Sequence, residues 1–239
     1  MASSADLRMR RNARKVFQFN MMVAGRSGLG KSTFVNTLGS NVIERHSQQG
    51  STLEINPYHA EIEEDGLKIS LSVVDTPGFG DAIDNTSQFE AIMQYVERQY
   101  DDFLAEESRI KRNPKFVDNR VHVCLYFISG GHGLHEMDIQ YMKLLSHRIN
   151  VIPVLGKADM MTPEELLILK KRCISDIEYY DIPIFNFPYD HHEDDEDTVG
   201  ENKELRVPLY LYRICYHSLL LLQLRINEII HGELYKQII

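Results

Sequence analysis

The run Gly25-Arg26-Ser27-Gly28-Leu29-Gly30-Lys31-Ser32 places glycines, a lysine and a hydroxyl at the spacing of a P-loop. Glycines at these points let successive backbone N–H groups turn inward around a phosphate chain. The Lys31 ammonium then reaches the outer phosphates, and the Ser32 hydroxyl is a suitable ligand for Mg²⁺, with Thr33 extending the nucleotide-binding run. The chemistry implied is the binding of a nucleoside triphosphate. Hydrolysis there asks mainly for positioning and charge stabilisation, which makes Lys31 a candidate catalytic group.

Two later motifs narrow the ligand. Asp75-Thr76-Pro77-Gly78 follows residues 67–74, an apolar, β-branched stretch that reads as a core strand. At the end of such a strand, Asp75 suits a metal held through a water, and the Gly78 N–H suits a contact that reports the γ-phosphate. Gly156-Lys157-Ala158-Asp159 closes a third strand-like run, 151–155. The Asp159 carboxylate accepts from the N1 and N2 donors of guanine, which adenine lacks, so a wrong base leaves a charge unpaired. Lys157, Ala158 and Asp159 are therefore read as the base-binding turn, and GTP or GDP is expected rather than an adenine nucleotide.

The elements that must position these groups alternate along the chain. After a polar, basic arm at 1–15 come a buried strand (17–24), a helix opening at Lys31 with its N-terminus aimed at the phosphates, and an aperiodic first switch loop (41–57). Residues 58–63 and 67–74 flank Glu64-Asp65-Gly66, whose Asp-Gly pair predicts an antiparallel hairpin. Thr162-Pro163-Glu164-Glu165 supplies an N-cap, a proline at the first helical position and a capping box, and Leu166, Leu169, Cys173 and Ile177 form the buried stripe of the helix that follows. The fold class predicted is α/β, a P-loop GTPase-like, mostly parallel sheet with helices on both faces.

Composition limits the alternatives. A chain of 239 residues accommodates one such domain. Its net charge of −9 argues against a nucleic-acid binder, which needs a positive footprint. Cys124, Cys173 and Cys215 show no metal spacing and read as reduced thiols of a cytoplasmic protein. No secretory signal is expected at the N-terminus, and the window 207–224 contains Arg213 and His217, a poor transmembrane span. The acidic run 190–197, with His191 and His192, reads as a solvated loop or a divalent-metal site.

Beyond the nucleotide motifs, the text resembles the septins, a family of filament-forming GTP-binding proteins. The resemblance rests on Asp75-Thr76-Pro77-Gly78-Phe79-Gly80-Asp81, on Asp118-Asn119-Arg120-Val121-His122 leading into Cys124-Leu125-Tyr126-Phe127-Ile128, and on Gly131-His132-Gly133-Leu134. Phe185-Asn186-Phe187-Pro188 resembles fungal members. The likeness implies a GTP-binding domain over 16–206, bound GTP or GDP with Mg²⁺, and assembly with other septin subunits through the nucleotide face, where His132 matches a family residue. It implies a place in the cytoskeleton at the cell cortex and division site.

The same likeness makes Thr52 the switch threonine, catalytic and metal-binding beside Ser32, with Asp75 holding the metal through a water. Phe79 stands where fast-regulated small GTPases carry a water-orienting glutamine, so slow turnover is expected. Arg8, Arg10, Arg11, Arg14 and Lys15 resemble the polybasic segment through which septins meet phosphoinositide headgroups; a merely solvated arm is the alternative. Two departures stand out. The loop before Gly131 is shorter than is usual in the family. Residues 207–239 read as a divergent apolar tail in place of the family's Val-Gly-Ser strand and its Gly-Arg-x-Tyr-Pro-Trp-Gly signature, which implies weaker guanine binding. A monomeric switch GTPase and a truncated isoform with weakened GTP binding are the alternative readings.

Overall fold

Runs of β-branched and aromatic residues, each ended by a glycine-rich or polar turn, become the strands of one sheet. The computed structural model describes residues 16–40, 56–64, 67–80, 86–111, 113–114, 116–131, 133–185 and 209–210. In chain order these hold β1 (Val16–Gly25), α1 (Lys31–Ser40), β2 (Asn56–Glu64), β3 (Leu67–Asp75), α2 (Thr86–Glu107) and β4 (Val123–Ile128). There follow α3 (Glu136–Ser146), β5 (Asn150–Leu155), a 3₁₀ turn (Ala158–Met160), α4 (Pro163–Tyr179) and β6 (Leu209–Tyr210).

The sheet order is β2-β3-β1-β4-β5-β6, with β2 antiparallel to β3 and every other pairing parallel. The expected hairpin is therefore present, although Asp65 and Gly66 lie outside the described residues. Alternation along β1 divides the core. Met22 and Ala24 join Phe89, Ile92, Tyr141, Met142, Leu169 and Cys173 from α2, α3 and α4 on one face. Phe19, Met21 and Val23 meet Phe34 and Val35 of α1 on the other. With helices against both faces, all of β4 is buried, which is why its sequence is apolar without a break.

The segment 118–122 owes its composition to β1. Asn20, 1% exposed, donates from its carboxamide to the carbonyls of Asp118 (2.8 Å) and Arg120 (2.9 Å). Its backbone N–H donates to His122 Nδ1 at 2.9 Å, and the His122 N–H returns a bond to the Asn20 carbonyl at 2.9 Å. Arg120 pairs with Asp118 at 2.7 Å while its guanidinium lies 3.4 Å from the ring centre of Phe103 on α2. The motif is thus a polar knot that ties the crossover from α2 to the lower half of β1.

The capping of α4 follows the sequence reading. Thr162 Oγ1 accepts from the Glu165 N–H at 3.3 Å, Glu165 Oε2 accepts from the Thr162 N–H at 2.8 Å, and Leu166, Leu169, Cys173 and Ile177 are buried. Cys124 and Cys173 are free, buried thiols, and burial pushes each up to about 12. The sheet continues past residue 206: Leu209 and Tyr210, in the segment read as a tail, pair with Val154 and Leu155 and extend the edge of β5. The basic cluster Arg8 to Lys15, Thr52, His132, Cys215 and the acidic run 190–197 lie outside the described residues. Among those described, no helix is long and apolar enough to cross a membrane, and no group of three or more His, Cys, Asp or Glu is placed to hold a metal.

Candidate nucleotide site

Parallel register brings the motifs to one edge of the sheet. Val23 of β1 aligns with Asp75 of β3, Gly25 with Phe127 of β4, and Ile128 with Leu155 of β5, so the chain leaves each of these strands at the same level. Gly25 begins the phosphate loop with a φ of +138°, and a Cβ there would lie 2.5 Å from the Phe127 carbonyl oxygen. Only glycine fits so close to β4. The loop then enters α1, whose first turn is closed by the Phe34 N–H to the Gly30 carbonyl at 2.9 Å.

Within this turn Ser27, Gly28, Ser32 and Thr33 are exposed, whereas Leu29 and Lys31 are buried. Lys31 is only 6% exposed, and its ammonium donates to the Arg26 carbonyl at 2.8 Å. The bond folds the lysine back over the loop, in reach of a phosphate chain on the amides. The side chain of Arg26 goes elsewhere. A Cβ at Gly80 would lie 3.1 Å from its Nε, and its charge acts on the buried carboxyl of Asp138 in α3. The Arg26 guanidinium therefore lies beside Gly80.

The segment after β3 lies directly on the phosphate loop. The Ser27 N–H donates to the Phe79 carbonyl at 2.8 Å, and Arg26 and Phe79 form an isolated parallel bridge. A Cβ at Gly78 would lie 2.7 Å from Ser27 Cα and 2.9 Å from Lys31 Nζ, which explains a glycine there by close approach. Thr76, given no role from sequence, fastens the end of β3 to β1, its hydroxyl donating to the Val23 carbonyl at 2.8 Å. Only its place inside the Asp75 to Gly78 motif could have drawn attention to it.

Ser32 Oγ donates to Asp75 Oδ2 at 2.7 Å, and Asp75 is 3% exposed. A hydroxyl and a buried carboxylate, both hard oxygen donors, thus meet at the start of the helix that also carries Lys31. This donor set fits Mg²⁺ bound together with a phosphate chain.

The base-reading turn is fastened to the same floor. The Gly156 N–H donates to the Ile128 carbonyl at 2.9 Å, and a Cβ at Gly156 would lie 3.0 Å from the Leu29 carbonyl oxygen. Lys157 adopts φ 56°, a left-handed conformation that reverses the chain into the 3₁₀ turn. Ala158 is buried, while Lys157 and Asp159 stay exposed. Gly156 thus packs on Leu29, which brings the turn at 157–159 against the segment 25–33. Sequence reasoning did not foresee the buried pair behind it, in which Tyr126 Oη donates to Asp138 Oδ1 at 2.9 Å and the His135 N–H donates to Asp138 Oδ2 at 3.1 Å. Its one signal was a carboxylate three residues after His135, at the first turn of α3.

Comparison with known proteins gives this geometry a family. The septin family model matches residues 15–217, most of the chain. The chain belongs to the septin family. It is 47% identical over 210 residues to septin homolog spn3 of Schizosaccharomyces pombe, covering 84% of this chain and 56% of that protein. It is 43% identical over 218 residues to cell division control protein 11 of Saccharomyces cerevisiae, covering 87% and 52% respectively. This septin chain spans about half the length of the curated relatives it matches. Among solved structures, Cdc11 of S. cerevisiae superposes with a TM-score of 0.66 at 35% identity over 92% of this chain and 97% of that one. The septin GTPase domain from Chlamydomonas reinhardtii, at 23% identity, shares the fold with a TM-score of 0.61 over 82% and 74%.

Proposed function

We propose that this septin chain is a GTP-binding subunit that assembles with other septin subunits into filaments at the cell cortex during division and hydrolyses GTP slowly. The observation that carries the nucleotide reading is the Ser32 to Asp75 contact of 2.7 Å beside the buried Lys31, with the Lys157 to Asp159 turn joined to the same loop where Gly156 packs on Leu29. In this reading Gly25 to Thr33 form the phosphate cradle, with amides other than that of Ser27, which the Phe79 carbonyl holds, turned to the phosphates, and Lys31 neutralises the charge that develops on the outer one. Ser32 and Thr52 would hold Mg²⁺ directly and Asp75 through a water, the ion screening the phosphate oxygens when bound. Asp159 selects guanine.

Slow turnover follows from Phe79, which is 1% exposed and sits where a water-orienting residue would have to face the phosphates. The name of the relative, cell division control protein 11, supports a role in division. Arg8, Arg10, Arg11, Arg14 and Lys15 are the candidate contact with anionic phosphoinositides, an attraction that salt would screen. The deciding experiment extracts nucleotide from the purified chain and from Lys31→Ala. Guanine nucleotide in the first and none in the second is expected, and equal occupancy would remove the phosphate-loop assignment. Solution mass with and without GDP then separates filament subunit from monomeric switch, since only the subunit associates in response to nucleotide.

A further inference from the structure

We propose that Asp176, on α4, is a positioning residue for guanine recognition: it ties the loop between β4 and α3 alongside the segment that carries Lys157 to Asp159. Three attachments define this strap. At its start, the Ile128 carbonyl accepts from the Gly156 N–H at 2.9 Å. Next, Gly130 lies on the side chain of Met161, because a Cβ there would stand 2.7 Å from Met161 Cε and 3.0 Å from Sδ. At its far end, the Leu134 N–H donates to Asp176 Oδ2 at 3.1 Å, and a Cβ on the buried Gly133 would lie 2.6 Å from the same oxygen.

The middle attachment reaches the base turn. Met161 follows the 3₁₀ turn directly, and its N–H closes that turn on the Ala158 carbonyl at 3.3 Å. Gly130 therefore rests on the residue that closes the turn carrying Asp159. The helix α4 is itself anchored in the core through Leu169, Cys173 and Ile177. Asp176 supplies a charged acceptor for a backbone N–H at the strap's end, a stronger tether than a neutral group would give. Removing it frees the strap to lift from Met161 and blurs the position of Asp159. The phosphate half of the site, built on β1, α1 and β3, does not share this tether.

The inference rests on the guanine reading above, and the test separates the two. Calorimetric titration with GDP and with inorganic tripolyphosphate, both with Mg²⁺, is run on the wild type, Asp176→Ala, Asp176→Asn and Asp159→Asn. Asp176→Ala is expected to weaken GDP about tenfold while tripolyphosphate binds as before. Asp176→Asn, whose amide oxygen still accepts from Leu134, is expected to restore most of the GDP affinity. Unchanged GDP affinity in Asp176→Ala, or an equal loss for tripolyphosphate, would overturn the proposal. If Asp159→Asn also leaves GDP affinity unchanged, the guanine reading itself fails; if Asp159→Asn alone weakens GDP, only the role of Asp176 is lost. Should Asp176→Ala not fold, Met161→Ala removes the side chain against which Gly130 rests. It carries the same expectation, with wild-type GDP affinity again the contrary result.

Discussion

The ring of Phe79 meets that of Tyr141 edge-on, with centroids 4.8 Å apart, and Tyr141 in turn stacks on Phe89 at 3.9 Å. Through its carbonyl the same Phe79 accepts from the Ser27 N–H of the phosphate loop. One residue thus couples the nucleotide floor, by its backbone, to α2 and α3, by its side chain. Phe79→Ala should cost about 3–5 kcal/mol, as for other buried aromatic truncations. Urea denaturation with GDP present measures this. A loss under about 1 kcal/mol would mean the ring is not packed as described.

Gly78→Ala tests the close approach of the second motif to the phosphate loop. The added methyl would meet Ser27 Cα at 2.7 Å, a backbone atom that cannot swing aside, and Lys31 Nζ at 2.9 Å. Displacement of this segment withdraws the Gly78 N–H from the outer phosphate. GTP affinity should fall about tenfold or more, with GDP affinity less affected. Equal losses for the two nucleotides would show that Gly78 has no special relation to the γ-phosphate.

Asp138 should leave a signature in the pH dependence of stability. Burial raises its carboxyl above the ordinary aspartate value, and the bonds from Tyr126 and His135, with the charges of His135 and Arg26, only partly oppose this. With the folded-state pKa higher than the unfolded one, the folded chain binds the proton more tightly. The group's contribution is therefore most favourable below the unfolded value and declines as pH rises through the folded one. The Asp138→Asn variant lacks this titration. Wild-type stability minus that of the variant should therefore become more negative as pH rises above about 4. Melts in a pH series read the difference, and a constant difference would contradict a raised carboxyl.

The sheet, its hairpin and the glycine-rich turn into α1 were legible in the sequence because short motifs fix backbone geometry locally. A run such as Gly25 to Ser32 specifies its own turn, and Thr162 to Glu165 its own cap. The placement of the Arg26 side chain was not legible, because Gly80, beside which it lies, and Asp138, on whose carboxyl its charge acts, belong to distant segments. Nor was the burial of Phe79, which needs Tyr126, Tyr141 and Phe89 from three separate elements. The strap on Met161 and Asp176 escaped for the same reason: a glycine's need for space is visible only beside the atom that would collide with it. The family text at 118–122 was recognisable, but its purpose emerged only once Asn20 stood opposite it.

That purpose yields a prediction confined to stability. Asn20→Ala removes the two carboxamide bonds to the Asp118 and Arg120 carbonyls and leaves those acceptors in a half-buried setting. Two neutral hydrogen bonds at about 1 kcal/mol each give a loss of about 2 kcal/mol. The buried Asn20 Oδ1, which has no hydrogen-bond partner among the described residues, offsets part of the wild-type gain and keeps the figure from rising further. Because Asn20 sits below the middle of β1 while the cradle begins at its end, GDP affinity should not change. Denaturation and GDP titration of the same variant check both halves. Wild-type stability would show that the knot holds nothing, and weakened GDP binding would show that strain in it travels up the strand to the phosphate loop.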